Sequence, residues 1–126
     1  MNTDLHLTDG ASSAKARLRA DLKLAMQARA SLRIRALRIL IAALDNAEAV
    51  PSDGRHERYV VHAFGDRSAE VPRRLLTQRE VEALFEREAA ARRADAADLA
   101  ALGKLTQASE LRAEASLIDV YVQRGG

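Results

Sequence analysis

An all-α fold is what this sequence predicts, and three observations predict it. Ala, Leu, Arg and Glu dominate while aromatic residues reach only 3%, which suits helices packed on helices, because strands favour β-branched and aromatic side chains. Apolar residues recur at helical spacing along four separate stretches. Thr77 with Glu80, and later Gly103, stand where a helix needs a start and a stop. The expected architecture is a four-helix, bundle-like array of helical hairpins.

The first twelve residues carry Asn, Thr, Asp, Gly and Ser without periodicity and read as a flexible tail. Over 14–30, Leu18, Leu22, Ala25 and Met26 share one helical stripe, with Lys15, Arg19 and Lys23 largely outside it. Ser31 is a candidate N-cap for a second helix over 32–49, whose stripe is Ile34, Leu37, Leu40, Ile41 and Leu44 and which Pro51 ends.

Residues 51–76 hold both prolines together with Gly54 and Gly65 and lose the helical pattern, so they form a connection. Within it, 59–64 is the one β-like run. A turn at Gly65-Asp66 and a return over 70–73 allow a small β-hairpin there.

Thr77 and Glu80 form a capping-box pattern, in which hydroxyl and carboxylate each satisfy an orphan backbone N–H. The third helix runs from there through Val81, Leu84, Phe85, Ala89, Arg92, Leu99 and Leu102 to Gly103, a glycine suited to the left-handed C′ position. The fourth covers 104–122 with Leu111, Ala115, Ile118 and Val122 as its stripe, and 123–126 are a short tail.

At 126 residues, with 48% hydrophobic and 30% charged residues, the chain fits a single folded domain over 13–122. The absence of cysteine removes disulfides, thiolate nucleophiles and Cys-ligated zinc, and fits a reducing compartment, so a cytoplasmic protein is expected. The longest apolar stretch, residues 39–44, is far short of the roughly 18 residues a membrane span needs, so no membrane partner is expected.

Chemistry-bearing patterns are sparse. His6, His56 and His62 lack a ligand spacing, so no metal site is expected. Glu80, Glu82, Glu86, Glu88, Glu110 and Glu114 alternate with Arg79, Arg87 and Arg112, as on a solvated helix face rather than in an acid/base pair. No glycine-rich phosphate loop and no nucleophile elbow occurs. The expectation is therefore no catalytic residue and no cofactor. The strongest polar feature is a set of arginines, Arg33, Arg35 and Arg38 beside Arg29, supplemented by Arg92 and Arg93. Guanidinium grips phosphate bidentately, so Arg33, Arg35, Arg38, Arg92 and Arg93 are the candidate nucleic-acid contacts. The competing role for the same residues is interhelical salt bridging, and the scarcity of aromatics for base stacking favours it.

Particular words of the sequence resemble the GatB/YqeY family. LRADLKLAMQAR (18–29) resembles the opening helix of YqeY-like proteins, and LRILIAALDNAE (37–48) is similar to their second helix, the more specific match. REVEALFERE (79–88) followed by Arg92-Arg93 looks like the third helix, Leu102-Gly103-Lys104 sits where the family has an Ala-Gly-Arg turn, and 113–122 resembles the approach to its Tyr-Leu-Pro ending. The family joins its second and third helices by a short turn, so much of 51–76 looks like an insertion. It also continues beyond Tyr-Leu-Pro into a subdomain shared with the tail of the glutaminyl/aspartyl-tRNA amidotransferase B subunit, where this sequence has only 123–126.

The resemblance implies a YqeY-like N-terminal helical domain associated with tRNA, a translation-related protein, or glutamine-dependent tRNA amidation, a carbon–nitrogen ligation with glutamine as amide donor. A tail that assists tRNA binding is not the site of that chemistry, so a non-catalytic module is expected. The alternative is a protein-interaction or scaffold module that docks a partner through 51–76 or an apolar helical groove.

Overall fold

The computed structural model describes residues 10–49 and 74–125, with side-chain surroundings for 10–49 and 74–122. Four helices make up almost all of this: α1 Gly10–Gln27, α2 Ser31–Ala49, α3 Gln78–Ala101 and α4 Leu105–Gly125. No strand occurs among the described residues. The candidate hairpin at 59–73 lies outside them.

The helices form two antiparallel hairpins, α1–α2 and α3–α4, with the second pair the more extensively packed. α2 lies against α4 and α3, and α1 lies against α3, while the backbones of α1 and α4 do not pack on one another. The stripes expected from sequence meet in one core. Leu18, Leu37, Leu40, Leu44, Phe85 and Ile118 are fully buried, and Leu22, Ile34, Ile41 and Val122 pack partly against them. Burying each of the six stabilises the fold by about 1.5–3 kcal/mol. Met26, expected on the α1 stripe, is instead 49% exposed. It lies about 80° round the helix from Leu18, at the edge of the stripe on the side of the partly buried Leu22, whereas Ala25 on the other side is buried.

Helix boundaries differ from the sequence expectation at places where tertiary contacts decide them. α1 begins at Gly10 rather than after residue 12, because its N–H donates to the carbonyl of Leu76 at 2.9 Å and its Cα lies flat against the Thr77–Gln78 backbone. A Cβ at Gly10 would stand 2.7 Å from the Gln78 nitrogen, so only glycine allows this approach. The same strand of chain is held from the other side by Arg74 N–H on the Glu48 carbonyl, 3.0 Å, and by burial of Leu76. α4 continues through Gly125, past the expected end at 122, since nothing in Gln123-Arg124 breaks a helix.

The two interhelix turns share one geometry. After α3, Gly103 at φ 82° donates to Ala100 and Lys104 donates to Leu99, the paired bonds of a Schellman motif. After α1, Arg29 at φ 55° donates to Met26 and Ala30 donates to Ala25, the same motif with arginine at the left-handed position. This turn also moves the start of α2. Its first bond runs from Ile34 N–H to the Ala30 carbonyl, so the cap position falls on Ala30 and not on Ser31. At the head of α3 the capping box forms as expected: Thr77 Oγ1 accepts from Glu80 N at 3.1 Å and Glu80 Oε1 accepts from Thr77 N at 2.9 Å.

α3 has 24 residues and α1 has 18. The two start side by side at the Gly10–Leu76 contact, so the α3–α4 turn projects about 9 Å beyond the α1–α2 turn at 1.5 Å per residue. Leu102 and Leu105 at that tip are 71% and 66% exposed. No described helix is long and apolar enough to cross a membrane.

Candidate nucleic-acid interface

The five candidate arginines do not gather as one free patch, although Arg35 and Arg92 meet at Glu114. Arg35 points from α2 to α4, where its Nε donates to buried Glu114 at 2.8 Å and its Nη2 lies 3.9 Å from Glu110. Arg92 on α3 donates to Glu88 at 2.7 Å and approaches Glu114 at 3.9 Å. Arg93 is bound to Asp119 of α4. These three are therefore the interhelical and intrahelical clamps that sequence reading set against the RNA role. Arg33 and Arg38 are exposed and have no acidic partner among the described residues. They lie five positions apart on α2, which places them about 140° apart around the helix.

Several acids are likewise held in pairs or caps. Glu80 caps α3 and meets Arg74 at 3.1 Å. The Thr77 backbone N–H, aided by Arg74, holds the Glu80 carboxyl below the usual carboxylate range. Glu48, buried near the end of α2, accepts from Lys15 at 2.6 Å, and Asp45 accepts from the same ammonium at 3.0 Å. The Glu48 bond, opposed in part by burial, raises the Lys15 pKa above its ordinary value. No group of His, Cys, Asp and Glu able to hold a metal occurs among the described residues, and all three histidines lie outside them. Ser31, Ser109 and Ser116 are exposed helix residues, while Ser52 and Ser68 lie outside the described segments.

Sequence reading missed where the free positive charge concentrates. Described residues of the α1–α2 hairpin carry eight cations against three acids, whereas 74–125 carry eight against nine. Lys15 pairs with Asp45 and Glu48, and this fixes an antiparallel register. Eight residues farther along α1, Lys23 comes level with 37–40 of α2, and hence with Arg38. Arg19 stands one turn from Lys23. These three cations are exposed and have no acidic partner among the described residues, and the register sets them toward one side of the hairpin. A signal for it was present in the sequence as the charge imbalance between the two halves.

Arg33 belongs to a different surface. Because α1 and α4 flank α2 without packing together, a channel runs between them. One hollow of about 240 Å³, bounded by α1, α2 and α4, is lined by Asp21, Leu24, Ala36, Leu37 and Tyr121, and it continues into another of about 710 Å³ between the start of α2 and α4, lined by Ala30, Ser31, Leu32, Ala113 and Ser116. The two share Arg33, Leu117 and Val120. The channel closes at its inner end where the Tyr121 hydroxyl donates to Asp21 at 2.5 Å and the Arg17 guanidinium stacks 5.9 Å over the Tyr121 ring. The chain matches no protein-family model, no curated protein and no solved structure.

Proposed function

We propose that this protein is a non-catalytic helical module that contacts RNA phosphate through the basic face of its α1–α2 hairpin. The observation that carries the reading is that Arg19, Lys23 and Arg38 lie exposed and unpaired among the described residues, while Arg35, Arg92 and Arg93 are tied to acids. Free guanidinium and ammonium groups on one face can each displace a counterion from a phosphate backbone. The resemblance of 18–29 and 37–48 to the first two helices of GatB/YqeY proteins supports tRNA, and tRNA-linked amidation or translation, as the setting. The phosphate-contact set becomes Arg19, Lys23 and Arg38 in place of the five arginines taken from sequence.

Titration with bulk tRNA at two salt concentrations tests this. Affinity is expected to fall with salt, and the triple variant Arg19→Gln, Lys23→Gln, Arg38→Gln should flatten the log–log salt slope by about 2 to 3. Absence of binding at low salt ends the reading. An unchanged slope in the triple variant moves the contact elsewhere.

A second reading, a protein-docking module, is favoured by a separate observation, the apolar channel around Arg33. The two surfaces are on different sides of α2 and can be tested apart.

A further inference from the structure

We infer that the channel between α1 and α4 receives an amphipathic helix from a partner protein, and that this helix carries an Asp or Glu inside its apolar stripe to meet Arg33. The inference deepens the docking reading and rests on it. It is independent of RNA binding at Arg19, Lys23 and Arg38.

Shape selects a helix. The floor is apolar and already buried, with Ala36 at 2% and Leu37 at 0% exposure, while the walls present unused apolar surface in Leu24, 62% exposed, and Val120, 41% exposed. The channel is open along its length, so a small molecule would leave much of its surface in water, whereas bound small ligands bury most of theirs. A helix of about 10 Å diameter can lie between two others and press one stripe onto the floor.

Charge selects the acid. Arg33 lines both hollows and has no acidic partner among the described residues. An apolar helix laid over it would strip water from an unpaired cation, a cost that a carboxylate in the stripe removes. Asp21 lines the same channel but already accepts the Tyr121 hydroxyl. A second copy of this chain is a poorer occupant, because each described helix commits its apolar stripe to its own core.

The test is selection from a displayed library of helical peptides on the full chain, with the Val120→Glu protein as the counter-target. Both Val120 and Arg33 are exposed, so each variant is expected to keep its helices, which circular dichroism checks. Enriched peptides should show apolar anchors at i, i+3, i+4 and i+7 with Asp or Glu among them. Arg33→Glu should weaken a selected peptide at least about tenfold, and replacing the peptide's acid by Lys should restore binding to that variant. Enriched peptides that are neutral or basic in the stripe overturn the acidic chemistry while leaving docking intact. No enrichment over Val120→Glu overturns both. A dimer in sedimentation equilibrium that Val120→Glu dissociates overturns the partner helix in favour of a second copy.

Discussion

The α1–α2 and α3–α4 hairpins have the same topology and the same turn motif, yet they satisfy their local rules to different degrees. α3–α4 begins on a complete capping box, turns on glycine at φ 82°, and ties Arg92 and Arg93 to Glu88 and Asp119. α1–α2 turns on arginine at φ 55°, enters its second helix on Ala30, and leaves Arg19, Lys23, Arg33 and Arg38 without acidic partners among the described residues. By these local rules α3–α4 is the more consistent hairpin, and the proposed phosphate contacts all lie on the other one.

The sharpest way to break this comparison is to exchange the fates of neighbouring arginines. Arg35→Met leaves the Glu114 carboxylate, only 5% exposed, with Arg92 at 3.9 Å as its remaining cationic neighbour among the described residues, and should lower stability by about 2–3 kcal/mol. Arg38→Met, three positions away, should change it by no more than about 0.5 kcal/mol. Urea denaturation of the two variants decides the matter. Equal losses would mean that Arg38 is also structural and the basic face is not free.

A smaller effect is expected where the hairpins join. Gly10→Ala forces a Cβ into the Thr77–Gln78 backbone, which cannot swing aside as a side chain could, and should cost about 1–2 kcal/mol. Amide exchange should rise together at Gly10, whose N–H donates to the Leu76 carbonyl, and at Thr77, the next residue, whose N–H is held by Glu80. Faster exchange in α1 alone would show that the contact is not shared.

How far the sequence could be read follows from the range of each interaction. The helices, the Thr77–Glu80 box and the Gly103 stop were readable because each depends on residues within a turn or two. The Arg92–Glu88 pair, at i,i+4, was readable for the same reason. The Arg35–Glu114 bond spans 79 positions, and only the packing of α2 on α4 brings it about, so nothing local separated Arg35 from Arg33 two residues earlier. The start of α1 was misplaced because a glycine in a polar run looks like a tail until Leu76 and Thr77 are set against it. The α1–α4 channel is a property of helix arrangement and has no pattern of its own in the sequence.

At the head of α3 the cap is worth about 1 kcal/mol, the expected loss in Thr77→Ala. Its pH dependence has a definite sign. Folding lowers the Glu80 pKa below 4.5, so the unfolded chain binds the proton more readily. This contribution is complete above pH 4.5 and is lost as pH falls through the folded value. Glu80→Gln keeps an acceptor for the Thr77 N–H but removes the titration, so its stability should decline less steeply with acid. An acid slope identical to that of the unmodified chain would show that the carboxylate does not hold the cap.

The smallest effect tests the comparison most directly. Arg29 holds a left-handed conformation that costs a non-glycine residue about 1 kcal/mol, so Arg29→Gly should stabilise the protein by about 0.5 kcal/mol after the extra chain entropy of glycine is set against it. At the equivalent place in the other turn, Gly103→Ala should lose about 1 kcal/mol although its Cβ would meet nothing within 4 Å, because only the backbone angle is at fault. Thermal melts of the two variants thus move in opposite directions at one structural position. A stabilised Arg29→Gly protein whose tRNA salt slope also falls would mean that arginine is held at a strained turn for its charge. The same gain with an unchanged slope confines the phosphate contact to the outer face of Arg19, Lys23 and Arg38.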